Sequence, residues 1–374
     1  MLYVSPAKIA SYFYHECERN FYFQSLAKER RSELDVPEEL FEQPAVHESV
    51  LRRGVEWEEE VITTYLAGQV QMGKREPGAP ISHCYLDGEE TIRELKQPSK
   101  RYLYQPTLIA PPRFYKQYGL DPEAIRFAAC RPDLIECIPG QNGFVFRIID
   151  IKSSDVLKIS HRVQTALYAL MLSSVLEEHG VKGSVDLREA GIWTYKTEQP
   201  QLTDIGQLLP FLEQFLASEL TALAGKQLDE LFWHLDYRCE WCPFYDYCLD
   251  KAREQSHISL VPYLSSHASR FIRERQLSET IDEFRQLLGC KETRHVLKQN
   301  AGLARQLRRL EAQLEAIAEE KVVPYDRAVT HMPIWEDIRL ILTAQRDPLT
   351  GKIAAASLYR VGGTDVFGTG SEMH

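Results

Sequence analysis

The chain has 374 residues, 44% of them apolar, and a formal net charge of −10 from 44 basic and 54 acidic residues. That length allows one large core with appended parts or two to three smaller domains, and the composition marks a folded soluble protein rather than a disordered one. No apolar run is long enough to span a bilayer, and bulk charge gives no support to nucleic-acid binding, although a local basic groove can sit on an acidic protein. The N-terminal segment MLYVSPAKIASYFYHECERNFYFQ has no basic stretch followed by an uninterrupted apolar one, so a cytoplasmic location with no membrane association is expected.

Residues 7–30 read as a helix with aromatic and aliphatic residues on one face and Cys17 in its middle, and a second helix is expected over 46–67. Composition then changes to short strands and loops, with strand-like runs around 92–95, 133–138 and 144–151. The turn signal PGQNG at 139–143 makes 133–151 a β-hairpin. Apolar residues at helical spacing predict a helix over 160–180 that ends at Gly180. A strand follows at 188–196 and a helix at 203–223. Two short helices are expected within 258–287 and a longer one over 293–320, with Leu303, Leu307, Leu310 and Leu314 along it. Strands return at 338–343 and 353–360, and the small polar tail GTGSEMH is expected to be disordered.

One strand carries an unusual end. In 145-VFRIIDIKSSD-155, Asp150 and Lys152 are one strand period apart and share a face, while Ile151 points to the other. Such a pair is either an edge ion pair or half of an active site. Asp133 opens the neighbouring strand, and carboxylates on adjacent strands can converge on one hard divalent cation such as Mg²⁺ or Mn²⁺. Glu58, on the helix over 46–67, is a candidate further ligand. A bound ion would lower the pKa of a water and offset charge on a phosphoryl oxygen, and the Lys152 ammonium would position that water or stabilise the transition state. Gln164 and Tyr168 are four apart and share a helix face, where they would hold Lys152 or a nucleic-acid backbone. Taken singly, each element has a bland reading: Asp-x-Lys is common, and WEEE at 57–60 is ordinary solvated helix surface.

Three of the eight cysteines lie in Cys239-x₂-Cys242-x₅-Cys248, a cluster that points to metal binding rather than to disulfides in a reducing compartment. The spacing leaves iron–sulfur and zinc equally open. Cys84, Cys130, Cys137 and Cys290 read as ordinary thiols, with Cys137 packed in the core.

In order, RGVEWE at 53–58, LYQPTL at 103–108, RPDLIE at 131–136, IIDIKSS at 148–154 and QTALY at 164–168 resemble a RecB-like nuclease of the PD-(D/E)xK superfamily. The branch is the one that carries an iron–sulfur cluster and includes CRISPR-associated iron–sulfur exonucleases. The resemblance spans about residues 1–250. It implies an α/β, restriction-endonuclease-like core in which helices flank a central mixed sheet. It also implies a Mg²⁺- or Mn²⁺-dependent deoxyribonuclease site with Glu58, Asp133 and Asp150 as metal ligands, Lys152 as the catalytic lysine, and Gln164 and Tyr168 supporting it. In such nucleases one N-terminal and three C-terminal cysteines hold a [4Fe–4S] cluster, which here assigns Cys17, Cys239, Cys242 and Cys248 and staples the first helix to the end of the core. Two departures stand out. Cys130 and Arg131 occupy positions where relatives often have glycine, and aspartate stands at 150 where glutamate is frequent.

The implied organisation is a nuclease domain over 1–252, a helical region over 253–325 resembling a helix-hairpin-helix element, and a tail over 326–374. The helical region lacks a glycine-rich hairpin at its turn Arg275-Gln276-Leu277, so packing is at least as good a reading of it as DNA binding. The tail resembles the opening hairpin of a ribonuclease-H-like domain, but Leu342-Thr343-Ala344 stands where relatives carry Asp-x-Glu, so no activity is expected of it. The implied partners are single-stranded DNA or duplex ends and a helicase or other repair or recombination protein. Two other readings are a DNA-binding scaffold that keeps the fold without cutting, and a zinc-stapled RNA-processing factor. No Gly-rich Walker loop is present, so no motor of that kind is expected.

Overall fold

The computed structural model describes residues 1–42, 48–74, 80–323, 338–346, 352–362 and 371–373. The chain forms two compact units, Met1–Lys321 and Val322–His374.

The first unit opens with β1 (Leu2–Val4) and α1 (Pro6–His15), which Ser5 caps by accepting the Lys8 N–H at 3.3 Å. The helix expected over 7–30 is broken: Glu16 turns left-handed at φ 51°, and Cys17 becomes the N-cap of α2 (Glu18–Ser25). Single turns α3 (Lys28–Arg31) and α4 (Glu39–Glu42) precede α5 (Glu48–Glu60). α5 runs into a π-helical turn, Val61–Tyr65, and then β2 (Val70–Gln71). Where a strand was expected around 92–95 the structure has a helix, α6 (Gly88–Lys96). An Asp87–Glu90 capping box starts it, and its buried Thr91, Glu94 and Leu95 follow the i, i+3, i+4 spacing of a helix face.

β3 (Tyr102–Tyr104), α7 (Pro112–Tyr118) and β4 (Ile125–Phe127) lead to the expected hairpin of β5 (Leu134–Gly140) and β6 (Gly143–Ile151). Gly143 is required in its turn, because at φ 126° a Cβ would stand 2.6 Å from the Lys182 carbonyl oxygen. α8 (Ile159–Glu178) is the helix expected over 160–180. After β7 (Gly183–Val185) and β8 (Glu189–Trp193), the start of the helix expected over 203–223 is instead β9 (Gln201–Asp204), antiparallel to β8. Helix begins only at α9 (Leu209–Gln214), which continues through a π turn into α10 (Leu220–Gly225).

α11 (Tyr245–Glu254), α12 (Ser266–Glu274) and α13 (Ile281–Leu288) follow. The long helix expected over 293–320 divides into α14 (Lys291–Leu297) and α15 (Ala301–Glu319), because the Asn300 side chain caps the N–H groups of Gly302 and Leu303.

β2-β3-β5-β6-β8-β9 form a mixed sheet of seven strands, with β7 also paired to β6. Pairing is antiparallel at β3–β5, β5–β6 and β8–β9, and parallel at β2–β3, β6–β7 and β6–β8. Alternation along β5 and β6 feeds two cores. Ile135, Cys137, Phe146 and Ile148 pack with Val163, Ala166, Leu167 and Leu170 of α8. Leu134, Ile149 and Ile151 pack on the other side with Trp57, Val61, Ile62 and Trp193. The central mixed sheet flanked by helices is the expected restriction-endonuclease-like architecture.

Helices α12 to α15 gather around their own apolar cluster, which includes Ile272, Phe284, Leu297, Leu307 and Leu314. Among the described residues, no helix is long and apolar enough to cross a membrane. In the second unit, β10 (Ile338–Arg346), β11 (Ile353–Gly362) and β12 (Ser371–Met373) form an antiparallel sheet. Part of the tail expected to be disordered is therefore a strand, Ser371–Met373, paired with Tyr359–Val361, while 368–370 and 374 lie outside the described residues.

Candidate active site and cysteine site

β5 begins and β6 ends at the same edge of the hairpin, so Asp133 and Asp150 come together by register. The Ile151 N–H donates to Asp133 Oδ2 at 2.6 Å, which ties the start of one strand to the end of the other. Asp150 is 1% exposed, and its Oδ2 lies 2.7 Å from Lys152 Nζ although no hydrogen bond of acceptable angle reaches that atom. The sheet continues into Lys152 itself, whose N–H donates to the Trp193 carbonyl at 2.8 Å. Trp57 of α5 donates its indole N–H to the same carbonyl at 3.4 Å, so α5 is fixed against this end of the sheet. α5 then presents Glu58, whose Oε1 accepts from Tyr104 Oη at 2.8 Å and from Gln105 Nε2 at 2.7 Å.

α8 contributes the remaining pair. Lys152 Nζ donates to Gln164 Oε1 at 3.4 Å, and Gln164 Nε2 donates to Tyr168 Oη at 3.2 Å. The helical spacing of four is what makes that second contact possible. All six candidate residues, Glu58, Asp133, Asp150, Lys152, Gln164 and Tyr168, thus meet at one end of the sheet.

The electrostatics are those of crowded acids around one cation. Burial, and then the charge of Asp150, pushes the Asp133 carboxyl well above the usual carboxylate range. Burial also raises Glu58, against the hydrogen bonds from Tyr104 and Gln105. Burial pulls the Lys152 ammonium down, but Asp150 and Asp133 outweigh it and the pKa ends above the usual lysine range. His161, in the first turn of α8, accepts the Lys158 N–H on Nδ1 at 3.3 Å and is held neutral, its pKa pushed down to about 4 by burial and by Lys152.

Cys17, Cys239, Cys242 and Cys248 form a second group. Asn20 bridges it: its N–H donates to Cys17 Sγ at 3.4 Å and its side-chain amide to Cys242 Sγ at 3.1 Å. The Asp236 N–H donates to Cys239 Sγ at 3.5 Å. Burial, reinforced by Cys248, Cys242 and Cys239, pushes the Cys17 thiol up to about 12, and burial pushes Cys239 and Cys248 up to about 11. Arg19 is buried beside Cys248 with Nε and Nη1 unpartnered, its guanidinium 4.0 Å over the Trp233 ring. Three thiols supplied with N–H donors, and a fourth, Cys248, beside a guanidinium with two unpartnered nitrogens, form a donor set that suits an anionic thiolate–metal group. The carboxylates at the sheet end suit a hard cation. Among the described residues, no three His, Cys, Asp or Glu side chains are spaced as ligands around an ion in either place. All eight cysteines are free; Cys84, Cys130 and Cys137 are buried and Cys290 is exposed.

Reasoning from sequence did not assign Tyr104, Gln105 or His161 to the site. The first two lie in LYQPTL at 103–108, a stretch singled out only by its resemblance to a strand of the family. His161 gave no signal, because it lies on a helix face like any core histidine.

The family model described as PD-(D/E)XK nuclease superfamily matches residues 4–249, which takes in both groups of residues. Among curated proteins nothing matches.

Proposed function

The chain belongs to the PD-(D/E)XK nuclease superfamily, and from that premise we propose that it hydrolyses phosphodiester bonds in DNA, acting on ends or single strands with Mg²⁺ or Mn²⁺. The observation that carries this reading is the meeting of Glu58, Asp133 and Asp150 around a partly buried Lys152, itself braced by Gln164 and Tyr168. An edge ion pair would need none of that bracing.

In this reading Asp133, Asp150 and Glu58 hold the divalent ion, which when bound supplies Lewis-acid stabilisation and a more acidic water. Lys152 stays charged and donates to the attacking water or to a non-bridging phosphate oxygen as negative charge grows there. Gln164 Oε1 accepts a hydrogen bond from the ammonium while its amide donates to Tyr168, so the lysine is held for that donation before substrate arrives. Cys17, Cys239, Cys242 and Cys248 hold a [4Fe–4S] cluster with a structural role, joining α2 to the segment after the core. The nuclease domain covers 1–252, with a helical region over 253–325 and a tail over 326–374. The setting is cytoplasmic DNA repair or recombination, with a helicase or similar protein as partner.

Digestion of end-labelled single-stranded and duplex DNA by anaerobically purified protein tests this. Cleavage in Mg²⁺ or Mn²⁺, abolished by chelator and absent on RNA, is the expected result. Binding without cleavage in either metal would favour a scaffold, and preference for RNA would overturn the substrate.

A further inference from the structure

Gln105 follows β3 with φ 41°, in the left-handed region that non-glycine residues seldom adopt. Pro106 comes next, and a proline pushes the residue before it toward extended backbone, so this conformation is disfavoured twice. Backbone held against local preference persists only where surrounding contacts enforce it. Two contacts do so here. The Gln105 N–H donates to the Asp133 carbonyl at 2.9 Å, and its side-chain amide donates to Glu58 Oε1 at 2.7 Å. One residue therefore carries the β3–β5 ladder on to the backbone of one acid and grips the side chain of another on α5. Tyr104 Oη donates to the same Glu58 oxygen at 2.8 Å, and among the described residues no hydrogen bond reaches Oε2.

We infer that Gln105 is a positioning residue for the metal site: its strained backbone aims an amide that, with Tyr104, occupies Glu58 Oε1 and leaves Oε2 to face the ion. The inference rests on the proposed assignment of Glu58, Asp133 and Asp150 as metal ligands. It adds a residue that holds a ligand rather than the ion and yet sets the affinity for metal.

The test measures Mn²⁺ binding directly, by calorimetry without DNA, with thermal unfolding of the same samples. Gln105→Gly removes the amide and relieves the strain. Gln105→Asn tolerates the left-handed backbone but is one methylene too short to reach Glu58. Both should raise the Mn²⁺ dissociation constant by about tenfold, the loss of one charge-assisted hydrogen bond. Gln105→Gly should do so while unfolding no lower than Gln105→Ala, which keeps the strain. Half-activating Mn²⁺ in DNA cleavage should rise in parallel, with little change in rate at saturating metal. Wild-type Mn²⁺ affinity in both Gly and Asn variants, with binding lost in Asp150→Asn, overturns the positioning role and leaves the ligand assignment standing. Unchanged binding in Asp150→Asn, or none in the wild type, removes the assignment and this inference with it.

Discussion

Asp133 illustrates how single residues here are set against the stability of the metal-free fold. Burial and the neighbouring Asp150 raise its pKa well above the usual carboxylate range. A carboxyl whose folded pKa exceeds its unfolded value of about 3.9 contributes stability that is fully present below that value and lost as pH rises through the folded pKa. Above that value the buried group therefore costs stability, which a bound cation would offset. Asp133→Asn removes the charge and keeps an oxygen for the Ile151 N–H. Without metal, the variant should melt a few degrees above the wild type at pH 8, and the difference should vanish toward pH 4. Adding Mn²⁺ should stabilise the wild type but not the variant. A variant that melts lower at pH 8 would contradict this account of the acids. The sequence showed Asp133, Asp150 and Lys152 plainly because strand alternation and hairpin register are local rules. It did not show Gln105, whose role depends on a left-handed backbone that no periodicity reports.

At the scale of elements, the hairpin of β5 and β6 and the helix α8 were legible for the same reason, since a turn signal and a long helical period leave little choice. α6 was misread as a strand because a run of four residues carries too little period, and its capping box was the better guide. The first helix was misread as continuous because no proline or glycine marks the break at Glu16. That break matters, since it sets Cys17 at the N-cap of α2 facing the cluster Cys239-x₂-Cys242-x₅-Cys248. Serine is a good N-cap, so Cys17→Ser keeps the cap and tests ligation alone. Anaerobically purified wild type should be brown and contain iron and sulfide. Cys17→Ser and Cys239→Ser should lose iron alike and melt lower, since ligation energy is also folding energy. Cys84→Ser and Cys290→Ser should keep it. Stoichiometric zinc without iron would replace the cluster with a zinc staple, and full iron in Cys17→Ser would move the fourth ligand elsewhere.

Across the first unit, the helices after α11 are docked on the sheet-bearing core by buried polar contacts that composition cannot reveal. Glu18 is 5% exposed and accepts from Lys226 at 2.6 Å, from the Phe232 N–H at 2.9 Å and from Arg270 of α12 at 3.0 Å. Trp233 stacks on His257 with ring centroids 4.2 Å apart, and His234 hydrogen-bonds the Leu264 carbonyl at 2.8 Å. Arg270 and Lys226 keep about a third of their exposure, so solvent would partly screen them if Glu18 were lost. Glu18→Ala should therefore cost about 2–4 kcal/mol in urea unfolding, below the upper end for a fully buried pair, and a loss under 1 kcal/mol would mean that the helices are docked without Glu18. Net charge was equally uninformative about the site: an acidic protein gathers Glu58, Asp133 and Asp150 at one end of the sheet, and the proposed function requires a cation among them. That is the central claim, and single-turnover cleavage of end-labelled DNA in saturating Mn²⁺ tests it most directly. Wild type should cut. Asp150→Asn should be silent, and Lys152→Ala should bind Mn²⁺ nearly as well as wild type but cut slower by a factor on the order of 10²–10³. Wild-type rates in Lys152→Ala would return Asp150 and Lys152 to an ordinary ion pair at the end of a strand.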